Sequence, residues 1–123
     1  PHLVIPYTLS ENDMRFVTAS GFSHADEFAS HLISTVDALR QEGADGSPKM
    51  MSVGLHCRIV GRPGRAAGLE KFLEHIASLP PGEVWLCTRE EIAQHWHKHH
   101  YPSGYGKSKA ASGAAASSKK QKK

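Results

Sequence analysis

Residues able to carry chemistry fall in three places along this 123-residue chain. Leu55-His56-Cys57-Arg58 closes a short apolar run, and Arg62 and Arg65 follow it. A histidine changes charge near neutral pH and can serve as a general acid or base. Planar guanidinium groups can hold a carbonyl or a carboxylate. The plainer reading is an interior histidine with arginines that merely pair with surface acids. A second stretch, Tyr7 to Phe16, gathers Glu11, Asn12, Asp13 and Arg15. There Asp13 can orient a histidine or an arginine by a hydrogen bond, or Asn12 and Asp13 can form an Asx-type turn that satisfies backbone amides. The third place is His95-Trp96-His97-Lys98-His99-His100. His95 and His99 would share a helix face, a spacing that suits metal ligands. No cysteine or carboxylate completes a shell beside them and Lys98 adds charge, so a solvated helix end with incidental nickel or zinc affinity is expected.

These residues need a frame. Three strand–helix units succeed one another, the pattern of a parallel sheet covered by helices. Leu3-Val4-Ile5-Pro6-Tyr7-Thr8 reads as the first strand, short or distorted because Pro6 cannot donate to a ladder. The polar stretch from Leu9 to Phe22 is longer than the usual connection of such a unit. Ser23 then caps a helix with Asp26 and Glu27 in its first turn. Phe28, Leu32, Val36 and Leu39 form its buried stripe, and Gly43 with Gly46-Ser47-Pro48 ends it. The run from Met50 to His56 reads as a second strand covered on both faces. Gly61-Arg62-Pro63-Gly64-Arg65 opens a second helix whose stripe is Leu69, Phe72, Leu73, Ile76 and Leu79, stopped by Pro80-Pro81-Gly82. This glycine-containing loop lacks the lysine of a phosphate-binding loop. Val84-Trp85-Leu86-Cys87 reads as the third strand, and Thr88-Arg89-Glu90-Glu91 as a capping box after which Ile92 and Trp96 face the core. Reactive side chains in parallel α/β folds collect at the C-terminal ends of strands and in the loops beyond. His56 and the Tyr7–Phe16 stretch lie at such ends.

Composition bounds the rest. At 39% hydrophobic and 22% charged residues, the chain is ordinary for one small globular domain over residues 1–102. Fifteen lysines and arginines against twelve acids give a net charge of +3, but six of those lysines lie beyond residue 102 with no acid. Residues 1–102 therefore hold nine bases and twelve acids, a net of −3. A solvated, disordered tail over 103–123 is favoured over a specific nucleic-acid contact. No apolar run approaches the ~20 residues of a membrane span, and no signal peptide is read at the N-terminus. Cys57 and Cys87 are expected as buried free thiols in a reducing compartment, the cytoplasm.

Three blocks together resemble a known family. Ile5-Pro6-Tyr7-Thr8-Leu9 with Asn12-Asp13-Met14-Arg15-Phe16, Ser52-Val53-Gly54-Leu55-His56-Cys57-Arg58-Ile59 with Gly61-Arg62-Pro63-Gly64-Arg65, and Val84-Trp85-Leu86-Cys87 with Ile92-Ala93-Gln94-His95-Trp96 are similar to the C-terminal half of allantoinases of the polysaccharide-deacetylase superfamily. The resemblance implies an α/β fold, the C-terminal part of a distorted (β/α) barrel, and hydrolysis of a C–N bond. It also implies a water-activating aspartate in an early Thr-Phe-Asp-Asp block, a His-x-x-x-His block able to hold a divalent metal, and a late Leu-x-His block supplying the general acid. The late block corresponds to Leu55-His56, with the histidine directly after the leucine. The early blocks have no counterpart here, and the opening at Pro1 fits a piece of something longer.

The reading that follows is an allantoinase-type hydrolase opening allantoin to allantoate in purine catabolism, with this chain alone inactive. His56 would protonate the leaving nitrogen, Arg58 and Arg62 would hold oxygens of the ureide substrate, and Tyr7, Asn12 and Asp13 would shape the pocket. No cofactor is expected on this reading. The alternative is a chitin-type N-deacetylase, which would use a divalent metal with ligands outside this chain. A third reading is a non-catalytic remnant or accessory subunit. Self-association, or association with the missing barrel half, is expected because an open sheet leaves an unpaired edge; no membrane or specific nucleic-acid partner is expected.

Overall fold

The computed structural model describes residues 2–102. The tail expected at 103–123 lies outside the described residues. Three helices organise the chain: α1 (Ala25–Ala44), α2 (Pro63–Ser78) and α3 (Arg89–His99), preceded by a short 3₁₀ turn at Asp13–Val17. Two compact units result. Residues 6–86 form the larger, with α1 and α2; residues 2–5 and 87–102 belong to the other, with α3.

The helix signals of the sequence become physical caps. His24 rather than Ser23 is the N-cap of α1. The Glu27 carboxylate reaches back to accept from the Ser23 N–H at 2.6 Å and the His24 N–H at 3.3 Å, so the acid three residues in supplies the cap. At the other end Ser47 N–H donates to the Glu42 carbonyl and Gly46 N–H to the Gly43 carbonyl, the paired bonds of a Schellman closure. Pro63 sits in the first turn of α2, where its missing N–H costs nothing. The capping box of α3 forms as read: Glu91 N–H donates to Thr88 Oγ1 at 3.2 Å, and Thr88 N–H donates to the Glu91 carboxylate at 2.6 Å.

The core of the larger unit lies between α1 and α2. Phe28, Leu32 and Val36 from α1 meet Val60 and Phe72, with Phe16, Phe22, Leu69 and Ile76 packed around them. Each buried side chain of this size contributes about 1.5–3 kcal/mol. Phe16, Phe22 and Phe28 form a triangle with ring centroids 5.3–5.5 Å apart. Gly68 lets the helices touch: a Cβ there would overlap the Ala25 carbonyl oxygen, so no other residue lets α2 lie this close to the start of α1. Leu73, expected in the α2 stripe, is 55% exposed. It shares an outward face with Ala66, Glu70 and Ala77, one position round the helix from Leu69 and Phe72.

The expected strands do not form. Among the described residues the pairing is a single parallel bridge between Asn12 and Gly54, made by Asp13 N–H to the Gly54 carbonyl (3.0 Å) and Gly54 N–H to the Glu11 carbonyl (2.8 Å). Apolar, β-branched composition makes a stretch fit for a sheet, but a ladder needs partners about 4.8 Å away on either side. Among the described residues, 3–8 and 84–87 have no ladder partner and 50–56 has only the bridge at Gly54. Val4, Leu55 and Leu86 of these runs are exposed, whereas Met51 and Val53 pack against the core. Trp96 is likewise exposed instead of facing a core, since α3 has no buried residue among those described. Cys57 is exposed on a surface turn and Cys87 is half-buried, both free thiols; the burial expected of Cys57 fails because the turn after His56 leaves the interior.

Candidate active site

Asn12 and Asp13 reach the end of the Met50–His56 run through the bridge at Gly54. Asn12 is buried and its Oδ1 accepts from the Met14 N–H at 2.9 Å, the Asx turn that starts the 3₁₀ segment. Its amide lies against the Gly54 backbone so closely that a Cβ at position 54 would collide with it. Asp13 does more than cap. Its carboxylate is fully buried, and Oδ2 accepts from the His56 N–H at 2.7 Å and from the Val60 N–H at 3.1 Å. Oδ1 meets His56 Nδ1 at 2.6 Å.

An ionised carboxylate only accepts hydrogen bonds, so that contact puts the imidazole proton on Nδ1. The Asp13 side chain is inaccessible, whereas the His56 side chain is 49% exposed. One ring nitrogen is thus held by a buried anion and the rest of the ring is open to a substrate. A buried carboxylate costs several kcal/mol unless it is paired and hydrogen-bonded; two backbone amides and the imidazole offset that cost here. The turn at residues 57–60, closed by Ile59 N–H to the His56 carbonyl at 2.8 Å, returns the Val60 amide to Asp13. Such an arrangement can deliver or accept a proton at a fixed point in space.

Tyr7, Arg58 and Arg62 are all exposed, Arg62 as the N-cap of α2. Arg65 is committed elsewhere, with its guanidinium 5.1 Å from the centre of the Phe16 ring and 3.4 Å from the Ile59 carbonyl. Among the described residues, no hydrogen bond or ion pair links Arg58 or Arg62 to Asp13 or His56.

No protein-family model matches the chain. Over 98 residues, 80% of its length, it is 50% identical to a Schizosaccharomyces pombe protein named as a polysaccharide deacetylase. Among solved structures, a protein from Pseudomonas aeruginosa PAO1, also named as a polysaccharide deacetylase, superposes on 81% of the chain with a TM-score of 0.76 at 51% identity. The Puue allantoinase superposes on 83% with a TM-score of 0.77 at 50% identity. The chain belongs to the polysaccharide deacetylase superfamily. It spans about a third of these relatives: 30% of the yeast protein, 32% of the Pseudomonas chain and 33% of the allantoinase. The expected partial barrel is not seen in the described residues themselves, which form three helices and no strand.

Polysaccharide deacetylase chemistry can involve a divalent metal, and the described residues do not fit one. Among the described residues no group of three or more His, Cys, Asp or Glu side chains is arranged to hold an ion. Both Asp13 oxygens already accept from the protein. His95 and His99 do share a face, with ring centroids 4.7 Å apart. His99 is held below its ordinary value by partial desolvation, then by crowding from His95, Lys98 and His100.

Two further participants are Glu11, named in the sequence without a role of its own, and His31, which the sequence does not mark. Glu11 accepts from Thr8 Oγ1 at 2.7 Å and Ser10 Oγ at 2.6 Å, and His31 of α1 faces it at 3.6 Å. Burial pushes the Glu11 carboxyl up, but the Ser10 and Thr8 hydroxyls, its own backbone amide and His31 together leave it below its ordinary value. The Thr-x-Ser-Glu run in 8–11 is a legible signal for the hydroxyl contacts; nothing local announces His31.

A pH dependence follows. Asp37 is lowered by the His75 hydrogen bond and then Arg40, Glu27 by the Ser23 and His24 amides, and Glu91 by the Thr88 amide and hydroxyl. Each carboxylate, like Glu11, binds its proton less readily folded than unfolded. Their contributions are therefore fully present at neutral pH and are lost as pH falls through the depressed values. Urea midpoints measured from neutral pH into the acid range are expected to fall steadily below the ordinary carboxylate range; a flat profile there contradicts the assignment.

Proposed function

We propose that this chain supplies one wall of the active site of a C–N hydrolase, with His56 as the general acid and Asp13 as the residue that holds it. The observation that carries the reading is the 2.6 Å contact between a fully buried Asp13 oxygen and Nδ1 of a half-exposed His56. With Nδ1 tied down, the opposite nitrogen of protonated His56 can give its proton to a departing amide nitrogen, and the Asp13 anion stabilises the imidazolium before transfer. Arg58 and Arg62, both exposed, would offer bidentate donors for carbonyl or ureido oxygens. Asn12 keeps its amide against Gly54 and so fixes the turn that carries Asp13; Tyr7 would border the substrate.

The substrate reading is allantoin, opened at its cyclic amide to allantoate, supported by the 50% identity to the Puue allantoinase. No water-activating base is identified among the described residues, so the reaction is assigned to the chain together with the rest of the fold. The exposed apolar side chains of Val4, Leu9, Leu55 and Leu73 support association with that remainder or with a second copy. An N-deacetylase acting on an N-acetylated polysaccharide is the second reading, supported by the names of the yeast and Pseudomonas relatives.

A chimera tests both. Residues 3–102 replace the homologous segment of the Puue allantoinase, and allantoate release is followed. The chimera is expected to turn over, and His56→Gln in it to lose about 10²–10⁴-fold in kcat, the usual worth of a positioned acid. Unchanged turnover by the His56→Gln chimera overturns the acid assignment. Chelator-sensitive release of acetate from chitin oligomers, without allantoate, selects the deacetylase.

A further inference from the structure

We infer that His31 is a positioning residue for the Asp13–His56 pair, acting from α1 through Glu11. The inference rests on the reading of that pair as functional, and it concerns a histidine with no part in the chemistry itself.

Three observations meet at this residue. His31 Nε2 is a side-chain nitrogen buried without a hydrogen-bond partner, and it faces Glu11 Oε1 at 3.6 Å. A buried polar atom left unmade costs free energy, and a charged or donating imidazole beside a carboxylate recovers it. The ring is fixed from its other side by Phe22, with centroids 5.5 Å apart, and Phe22 itself packs on the fully buried Phe28. His31 is therefore anchored in the core while its nitrogen points at the loop.

Glu11 is the residue through which the loop is gathered. Its carboxylate takes the Thr8 and Ser10 hydroxyls, and its carbonyl takes the Gly54 N–H at 2.8 Å. The next two residues are Asn12 and Asp13, and the Asp13 N–H returns to the Gly54 carbonyl at 3.0 Å. A pull on the Glu11 side chain is thus transmitted, two residues on, to the carboxylate that holds His56. Helix α1 supplies the rigid post and the loop is tied to it by the partly buried contact between Glu11 and His31.

The test is amide hydrogen exchange on the full chain, with His31→Ala, His31→Gln and Glu11→Gln. Exchange of the Gly54, Asp13, His56 and Val60 amides is expected to quicken about five- to tenfold in His31→Ala and in Glu11→Gln, while core amides such as Val36 and Phe72 keep their protection. His31→Gln, whose amide can still donate to Glu11, is expected to restore most of the protection. The ring-nitrogen signature of His56 should shift in His31→Ala and return in His31→Gln. A uniform rise at every amide, or no change at those four, overturns the inference. Glu11→Gln keeps the shape of both side chains, so it decides the matter even if His31→Ala does not fold. Loss of turnover by Asp13→Asn in the allantoinase chimera bears on the function of the pair alone, and its absence would sink that reading without touching the exchange result.

Discussion

Asp13→Ala is expected to lower the stability of the chain by roughly 2–5 kcal/mol, because the His56 and Val60 amides both lose a buried acceptor and each orphaned group costs about 1–3 kcal/mol. The Val60 N–H keeps a second acceptor, the His56 carbonyl at 3.0 Å, so the lower half of that range applies to it. The His56 amide has no such reserve among the described residues. Asp13→Asn separates charge from shape. Its amide oxygen can still serve the two backbone donors, but it cannot offer a second anionic acceptor to the imidazole. Its stability loss is expected to be the smaller, with the orientation of His56 lost in both. Urea unfolding with matched m-values measures the difference. A change below about 0.5 kcal/mol for Asp13→Ala, the range of ordinary surface substitutions, means the carboxylate does not hold the turn.

Phe28→Ala is expected to cost about 3–5 kcal/mol, the usual range for emptying a buried phenylalanine site. Phe28 is fully buried and lies between Phe16 and Phe22 on one side and the α1–α2 core on the other. Domains of this kind have only about 5–15 kcal/mol in total, so the variant should melt far below the parent. The loss should also reach the site. Phe16 ends the aromatic triangle within the 3₁₀ turn that begins at Asp13, and Phe22 holds His31. Leu73→Ala on the exposed face of α2 is the control and should stay close to the parent. A Phe28→Ala melt no lower than that of Leu73→Ala would show that the core is not where α1 meets α2.

Helices were legible because their signals are local. The spacing of Phe28, Leu32 and Val36, the Glu27 and Glu91 caps and the closure at Gly46-Ser47 all act within a few residues. Strands were not, since a ladder is made by segments distant in sequence, and composition says only that a stretch would suit one. The runs at 3–8, 50–56 and 84–87 suit one, but among the described residues the bridge at Gly54 is all the pairing they have. Half of the site was readable in the same sense. His56 stands at the end of an apolar run and Asp13 in a loop longer than its role as a connector requires, so both could be named. Their meeting depends on the bridge at Gly54, a contact over more than forty residues that leaves no periodic trace. Leu73 and Trp96 fell on helical spacing yet point outward, because spacing defines a face without saying what covers it. His31 was passed over for a related reason: a histidine within an apolar stripe carries no mark of the carboxylate it faces until α1 is laid against the loop.

The most direct test concerns the imidazole of residue 56. Long-range nitrogen–proton NMR of the full chain reads which ring nitrogen carries the proton. Neutral His56 should hold it on Nδ1, leaving Nε2 bare toward solvent, and Asp13→Asn should abolish that preference. An Nε2-protonated ring in the parent chain, or a signature that Asp13→Asn leaves unchanged, would mean that no buried carboxylate orients His56.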